Sequence, residues 1–172
     1  DSGLNVEATD PTRIATIIGV GIGGMKIFED QALRMDKRGP NKVTPFLIPA
    51  LIADSAAGLV SIRHGLRGPN FDVSSACASG AHAIGESFNN IRLGRCDVAF
   101  TGGVESTLTP LGVAGFNALK ALSTRNDDPA HASRPFDLDR DGFVMAEGGS
   151  VIILEEYEHA KKRGAEIIAE LK

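Results

Sequence analysis

Length, composition and charge narrow the classes of protein to which this chain can belong. Its 172 residues, 42% hydrophobic and 23% charged, suffice for one globular domain with a sizeable core. The net charge of −4 offers no basic field for nucleic acid, and no apolar stretch approaches the ~20 residues of a membrane span. Two cysteines make no disulfide framework and are typical of a reducing compartment. We therefore expect a cytoplasmic protein that binds neither nucleic acid nor membrane.

Hydrophobic periodicity predicts an alternation of strands and helices along the chain. In chain order the predicted elements are a buried strand at 14–20, helices at 25–35 and 48–62, a strand at 71–75, a helix at 78–93, a buried strand at 97–101, a helix at 113–122, a polar loop at 124–140, a strand at 150–155, a helix at 157–163 and the start of a strand at 166–171. This alternation indicates an α/β sheet with helices on both faces. Since both ends fall within such patterns, we interpret the chain as an excerpt, truncated at both ends.

The glycine-rich segment 19–24 follows the first predicted strand and has the form of a dinucleotide-binding fingerprint. A dinucleotide site also needs a second strand that ends in an acidic residue ~20 positions later. Here a helical pattern follows instead. We therefore interpret these glycines as a tight turn with a close backbone approach.

Segment 137–142 looks like the opening of a calcium loop, with carboxylates at its first, third and fifth positions and glycine at its sixth. Such a loop needs a bidentate glutamate at position twelve and flanking helices, but that position is Gly148 and a strand is predicted next. We expect no metal here. The alternative is a turn stapled by four charged residues: Arg134, Asp137, Arg140 and Asp141.

Cys77 lies among small residues where a predicted strand gives way to a helix. Small neighbours let a substrate approach the sulfur, and the free N–H groups and partial positive charge of a helix N-terminus stabilise a thiolate. A structural cysteine at a tight strand-to-helix crossing is an equal alternative on these local features. Cys96 is predicted to be structural, and the four histidines, including His82 near Cys77, are predicted to be solvated or packed.

Five segments in one order along the chain carry a family resemblance. They are Ser-Ala-Cys-Ala-Ser-Gly-Ala-His at 75–82, Phe-Thr-Gly-Gly-Val-Glu at 100–105, Thr-Pro-Leu-Gly at 109–112, Ala-Leu-Ser-Thr-Arg-Asn at 121–126, and Ser-Arg-Pro-Phe-Asp with Arg-Asp-Gly-Phe within 133–143. Together they resemble the β-ketoacyl-[acyl-carrier-protein] synthases of type II fatty-acid synthesis. Segment 109–116 is more similar to the long-chain class, synthase II, than to synthase I.

The resemblance implies a thiolase-like fold, layered α-β-α-β-α in the full enzyme, with this chain as most of the N-terminal half of one subunit of a homodimer. It makes Cys77 the nucleophile that takes an acyl group from the phosphopantetheine of an acyl carrier protein. Malonyl carrier protein then loses carbon dioxide, and the resulting carbanion attacks the thioester in a Claisen condensation. The resemblance implies no metal or redox cofactor.

Further positions match substrate-handling residues of the family. They are Ile22 at the apolar gate of the acyl tunnel, Gly112 and Phe116 in its wall, Leu47 and Ile48 in the segment that reaches a neighbouring subunit, and Lys42 and Lys120 where an acidic carrier protein would dock. The backbone N–H of Cys77 would supply one oxyanion-hole donor. Without the resemblance, each side chain could equally be an ordinary core or surface residue.

The chain departs from the family because the two histidine motifs and the lysine of the C-terminal half do not occur in it. We therefore expect this segment to supply the nucleophile only and to be inactive alone. Two alternatives stay open: a polyketide-type ketosynthase, and a non-catalytic, dimerising ketosynthase-like subunit. Such subunits generally lack the nucleophilic cysteine, so Cys77 argues against the second. A plastid or mitochondrial location would apply if a transit segment had been removed.

Overall fold

A computed structural model describes residues 2–172, and Asp1 lies outside the described residues. The strands are β1 (Ile14–Val20), β2 (Asn70–Val73), β3 (Val98–Glu105) and β4 (Gly148–Glu155). The helices are α1 (Met25–Arg38), α2 (Leu47–Leu51), α3 (Ser55–His64), α4 (Ser79–Arg92), α5 (Pro110–Ala118) and α6 (Tyr157–Lys162). The predicted α/β class is therefore confirmed. Among residues 2–172, none of the helices combines the length and apolar character needed to cross a membrane.

The four strands form one sheet in the order β2-β1-β3-β4. Strand β1 is parallel to β2, with Gly19 opposite Val73, and parallel to β3, with Val20 opposite Val104. The carboxyl ends of these three strands therefore lie at one edge of the sheet. The loop after β1 and the turn after β2 leave the sheet at this edge.

Strand β1 is buried along its whole length, as predicted. Its alternate side chains face opposite helices: Ile17 packs in a cluster with Ala83 of α4, and Ile18 packs in a cluster with Ala57 of α3. Helices therefore cover both faces of the sheet at β1, which confirms the predicted arrangement. Burial of each isoleucine contributes about 1.5–3 kcal/mol to stability.

Strand β3 continues through Gly102 and Gly103 to Glu105, so the predicted end at residue 101 was wrong. Glycine pairs are common strand terminators, but here they serve close packing. A Cβ on Gly102 would lie 2.0 Å from the carbonyl oxygen of Ser150 in β4, and one on Gly103 would lie 3.1 Å from the Cα of Gly80 in α4. The glycines let neighbouring backbones approach β3 without ending it.

The helix predicted at 48–62 is two helices, α2 and α3, separated at residues 52–54. Asp54 directly precedes α3 but makes no side-chain capping hydrogen bond there; aspartate is a weak helix former in a helix interior. Segment 166–171 forms no strand, and strand β2 ends at Val73, two residues before the predicted end.

Helix α5 begins three residues earlier than predicted. The Thr109 hydroxyl accepts a hydrogen bond from the Gly112 N–H at 3.0 Å, and Pro110 occupies the first helical position, where its missing N–H is not needed. The helix also ends before residue 122, and Lys120, two residues beyond its end, has a positive φ of 54°. The Thr-Pro pair was a start signal that the periodicity alone did not use.

The described residues form two compact units. The first contains residues 2–23, 52–105 and 149–172, and so holds nearly all of the sheet with α3, α4 and α6. The second contains residues 24–51 and 106–148, with α1, α2 and α5. Cys77 belongs to the first unit.

Candidate nucleophile site

Cys77 is exposed on a one-turn 3₁₀ segment, Ala76–Ala78, between β2 and α4. The preceding residue, Ala76, has a φ of +52°. A left-handed conformation costs a residue with a Cβ about 1–2 kcal/mol, and such strain is found most often at functional sites. The chain therefore turns sharply just before the sulfur.

Glycines bring the first turn of α4 onto the sheet. A Cβ on Gly19 would lie 2.2 Å from the carbonyl carbon of Ser79, and one on Gly80 would lie 3.3 Å from the Cα of Gly103. The predicted close backbone approach at Gly19 is thus confirmed. This packing holds Cys77 at the edge where the carboxyl ends of β1, β2 and β3 meet.

The Ser79 side chain stabilises the turn through two hydrogen bonds to its backbone. Its hydroxyl accepts a hydrogen bond from the Ser75 N–H at 2.9 Å and donates one to the carbonyl oxygen of Ala76 at 2.6 Å. Ser79 is buried, so this pair of bonds is shielded from water. The residue before α4, Ala78, makes no side-chain capping bond. The positive end of the helix dipole is therefore directed toward the turn without a side-chain cap.

His82 makes a contact that the sequence did not indicate. Its Nδ1 lies 2.6 Å from the hydroxyl oxygen of Ser75, two residues before Cys77. Ser75 lies before α4 and His82 lies within it, so the contact depends on the sharp turn between β2 and α4 and not on helical spacing. His82 is exposed, which agrees with the prediction of a solvated or packed histidine, and it also contacts Ser75.

The loop after β1 is held beside the Cys77 turn by two side chains. The Ile22 N–H donates to Oε2 of Glu105 at 2.8 Å, and the Ser74 hydroxyl donates to the carbonyl oxygen of Gly21 at 3.2 Å. Ile22 itself is 45% exposed. The structure thus brings Ile22 and Cys77 to the same edge of the sheet. No motif or spacing in the sequence marked Glu105 as a candidate, because it was only the last residue of a segment that carried the family resemblance.

The other candidate residues belong to the second unit. They are Leu47 and Ile48 on α2, Gly112 and Phe116 on α5, Lys42 at the end of a 3₁₀ turn, and Lys120 two residues beyond α5. Phe116 packs edge-on against Phe143, with ring centroids 5.3 Å apart. Ile48 is 61% exposed, and both lysines are exposed. Both lysines are therefore accessible to solvent, and the apolar side chain of Ile48 is largely exposed.

The acidic segment after Arg134 is a turn, as predicted, and three of the four expected residues contact one another in it. Arg140 donates to the carbonyl oxygen of Asp137 at 2.6 Å, and Arg134 lies 4.0 Å from the Asp137 carboxylate. Asp141 instead accepts a hydrogen bond from the Ser123 hydroxyl, which lowers the pKa of that carboxyl. Asp141 therefore anchors the earlier loop. Within residues 2–172, no cluster of three His, Cys, Asp or Glu side chains could hold a metal ion.

Cys96 contrasts with Cys77. It is 1% exposed in the core cluster with Ala15 and Ile17. Burial raises the pKa of its thiol, so the reactive thiolate is disfavoured. The prediction of a structural role for Cys96 is confirmed.

Fold and site together define an α/β protein that presents an exposed cysteine outside the carboxyl ends of parallel strands, the edge at which open α/β sheets bind ligands. The chain belongs to the β-ketoacyl synthase family, because residues 1–160 match the family model described as beta-ketoacyl synthase, N-terminal domain. The family resemblance inferred from the motifs is thereby confirmed, and solved ketosynthase structures with the same fold confirm the thiolase-like fold.

Known proteins similar to this chain agree with that assignment. It is 52% identical to 3-oxoacyl-[acyl-carrier-protein] synthase 2 of Vibrio cholerae over 171 residues, which are 99% of this chain and 41% of that protein. It is 47% identical to the mitochondrial 3-oxoacyl-[acyl-carrier-protein] synthase of Arabidopsis thaliana, covering 98% of this chain and 37% of that one. The chain thus spans about two fifths of the length of these relatives.

Two solved structures share the fold. One is a type II PKS acyl-carrier protein in complex with its ketosynthase bound to the hexaketide (AntDE:AntF), with a TM-score of 0.90 and 36% identity over 95% of this chain and 41% of that one. The other is a β-ketoacyl synthase from Burkholderia phymatum, with a TM-score of 0.84 and 38% identity over 93% of this chain and 39% of that one.

Proposed function

We propose that the full-length protein containing this chain elongates fatty acyl chains, with Cys77 as the acyl-accepting nucleophile. The observation that carries the proposal is an exposed Cys77, placed by a left-handed Ala76 at the start of α4, in a chain of the β-ketoacyl synthase family. A relative that is 52% identical is named as a 3-oxoacyl-[acyl-carrier-protein] synthase, which supports the fatty-acid substrate class.

The reaction consists of two acyl transfers on the same sulfur. In the first, the Cys77 thiolate attacks the thioester carbonyl of an acyl carrier protein, a new carbon–sulfur bond forms, and the phosphopantetheine thiolate leaves and takes up a proton. In the second, malonyl carrier protein loses carbon dioxide, and the electron pair of the broken carbon–carbon bond attacks the Cys77 thioester. The Cys77 thiolate leaves, and the lengthened 3-oxoacyl chain stays on the carrier. Because decarboxylation supplies the carbanion, the proposal includes no metal or redox cofactor.

This segment contributes the nucleophile and part of its surroundings. The backbone N–H of Cys77 would donate to the developing oxyanion. Ile22 would gate the acyl tunnel, while Gly112 and Phe116 would line it. The apolar side chain of Ile48, exposed in the single chain, fits the proposal that its helix is covered by a second subunit in a homodimer.

The proposed partner is an acyl carrier protein, whose acidic surface would pair with the exposed Lys42 and Lys120. The AntDE:AntF structure contains an acyl-carrier protein bound to its ketosynthase, which supports this kind of partner. We propose a cytoplasmic location, or a plastid or mitochondrial one if the full-length protein carries a transit segment.

A polyketide ketosynthase is the second candidate, because the AntDE:AntF ketosynthase has nearly the same fold, with a TM-score of 0.90. Its identity of 36% is lower than the 52% shared with the Vibrio cholerae synthase, so we favour fatty-acid elongation. Supplying the full-length protein with fatty acyl and polyketide carrier-protein substrates in competition distinguishes the two.

Peptide mass spectrometry tests the nucleophile directly. The full-length protein is incubated with a long-chain acyl carrier protein, digested and searched for the acyl adduct. We expect the adduct on Cys77, its loss in Cys77→Ala, and its persistence in the matched control Cys96→Ala. Acylation that survives Cys77→Ala would contradict the proposal.

A further inference from the structure

Glu105 connects two loops at the carboxyl edge of the sheet. It is the last residue of β3 and accepts the Ile22 N–H through Oε2 at 2.8 Å. Eighty-three residues separate the two partners in sequence. The contact therefore closes a long loop at the edge where Cys77 is presented.

Gly21 lies between this carboxylate and the Cys77 turn. A Cβ on Gly21 would stand 2.6 Å from Oε2 of Glu105 and 3.6 Å from the carbonyl oxygen of Ala76. The Gly21 carbonyl oxygen also accepts the Ser74 hydroxyl. The backbone at residues 21–22 is thus clamped between the end of β3 and the residues that lead into the nucleophile turn.

The other carboxylate oxygen, Oε1 of Glu105, is buried and has no hydrogen-bond partner among residues 2–172. An unpaired buried acceptor costs about 1–3 kcal/mol. The buried Oε1 therefore lowers the stability of the fold, and a side chain without this second oxygen would stabilise the fold at least as well. The hydrogen bond that Glu105 accepts from Ile22 is therefore a better explanation for a glutamate at this position than stability alone.

We propose that Glu105 is a positioning residue for acyl transfer: its hydrogen bond holds the Gly21–Ile22 backbone beside Ala76, and so holds the Ile22 gate in register with Cys77. The inference rests on the proposed function, because it assumes that an acyl chain must pass Ile22 to reach the sulfur. It assigns Glu105 no contact with substrate. The role requires a side chain at position 105 that is as long as glutamate and ends in a hydrogen-bond acceptor. It does not require a negative charge.

Three substitutions in the full-length protein separate length from charge. Glu105→Gln keeps an acceptor at the same reach, Glu105→Asp keeps the charge but is one methylene shorter, and Glu105→Ala keeps neither. Glu86→Ala, which removes an exposed carboxylate from α4, is the matched control. Each variant is assayed for loading by long-chain acyl carrier protein, for alkylation of Cys77 by iodoacetamide, and for amide hydrogen exchange at Ile22 without acyl donor.

We expect Ala and Asp to lower kcat for acyl loading at least about tenfold, because the lost hydrogen bond has a charged acceptor and such bonds are usually worth that much or more. The KM for the carrier protein and the alkylation rate of Cys77 should stay within about twofold, because neither docking nor a small reagent needs the gate. Exchange at Ile22 should accelerate in the same two variants. Glu105→Gln and Glu86→Ala should resemble the wild type. The comparison of Asp with Gln suffices should Glu105→Ala fail to fold.

Other outcomes overturn the inference in distinguishable ways. Normal loading by Glu105→Asp with slow loading by Glu105→Gln would show that charge matters and not the hydrogen bond. Equal loss of loading and of alkylation in every Glu105 variant would show a purely structural role. A wild-type protein that is never acylated at Cys77 would instead overturn the proposed function, and the role in acyl transfer with it.

Discussion

The backbone of Gly19 in β1 touches the backbone of Ser79 in α4, so closely that a methyl group on Gly19 would stand 2.2 Å from the Ser79 carbonyl carbon. Because the obstructing atoms belong to the backbone, no side-chain rotation can relieve the clash. We expect Gly19→Ala to lower the free energy of unfolding by about 1–3 kcal/mol or more, and to displace the Cys77 turn that begins α4. Urea denaturation of the full-length protein measures the first effect.

Gly85→Ala is the matched control in α4. A Cβ there would meet no atom within 4 Å, and alanine exceeds glycine in helix propensity by about 0.5–1 kcal/mol. We therefore expect Gly85→Ala to be neutral or stabilising. Equal stability of the two variants would contradict the packing argument.

Ala76→Gly tests the strain before the nucleophile. Glycine adopts the φ of +52° found at Ala76 without a steric penalty, so this variant should be more stable than the wild type by about 0.5–1 kcal/mol. Ala78 lies two residues later and has a φ of −89°, which alanine adopts without strain. Ala78→Gly should therefore lower the free energy of unfolding by a similar amount, because its only effect is to raise the entropy of the unfolded chain. Thermal unfolding of both proteins measures the difference, and a shift of the same sign in both would argue against strain at Ala76.

Local pattern sufficed for the parts of the fold that depend on neighbouring residues. The run Ile14–Val20 is apolar throughout because both faces of β1 are covered, so its bounds were predicted correctly. The position of Cys77 between a strand and a helix was also predicted, because the residues on each side of it carry local strand and helix patterns. Resemblance of motifs, not periodicity, supplied the family.

Contacts between distant residues account for what the sequence did not reveal. Glu105 meets Ile22 across 83 positions, and the backbone of Gly102 meets that of Ser150. Neither contact has a spacing that periodicity could detect. The glycine pair in β3 was therefore interpreted as the end of the strand, although its role is to let neighbouring backbones pack closely against β3. The left-handed Ala76 was equally hidden, because alanine carries no sequence signal for a positive φ.

The two cysteines should differ in reactivity. Cys77 is exposed, whereas Cys96 is buried and the pKa of its thiol is raised by that burial. Iodoacetamide in slight excess should therefore modify Cys77 before any modification of Cys96 is detected, because alkylation needs an accessible thiolate. Peptide mass spectrometry at successive times gives the order. Urea should make both react, and early labelling of Cys96 in the folded protein would contradict the assigned burial.

An acid-sensitive ion pair stabilises the end of β4. The Glu155 carboxylate, 8% exposed, accepts two hydrogen bonds from Arg163 at 2.8 Å each and a third from His159. Burial by itself would raise the pKa of Glu155, but the hydrogen bonds from Arg163 and His159 outweigh it and hold the pKa below its ordinary value of 4.5. A carboxylate whose pKa is lower in the folded state stabilises that state above the unfolded-state pKa, and this stabilisation is lost as pH falls through the folded-state pKa.

Glu155→Gln should therefore be less stable than the wild type by about 1.5–3 kcal/mol at pH 7, the usual range for hydrogen bonds to a charged group. The gap should begin to narrow as pH falls through about 4.5, where the carboxylate of the unfolded wild-type chain binds its proton. It should close once pH is also below the lower pKa of Glu155 in the folded protein. Urea midpoints measured from pH 7 down to pH 3 follow the gap. Glu158→Gln is the control: that exposed side chain lies 3.4 Å from Lys161, and its loss should cost less than about 0.5 kcal/mol. A gap between Glu155→Gln and the wild type that stays constant with pH would show that the ionised form of Glu155 does not stabilise the fold.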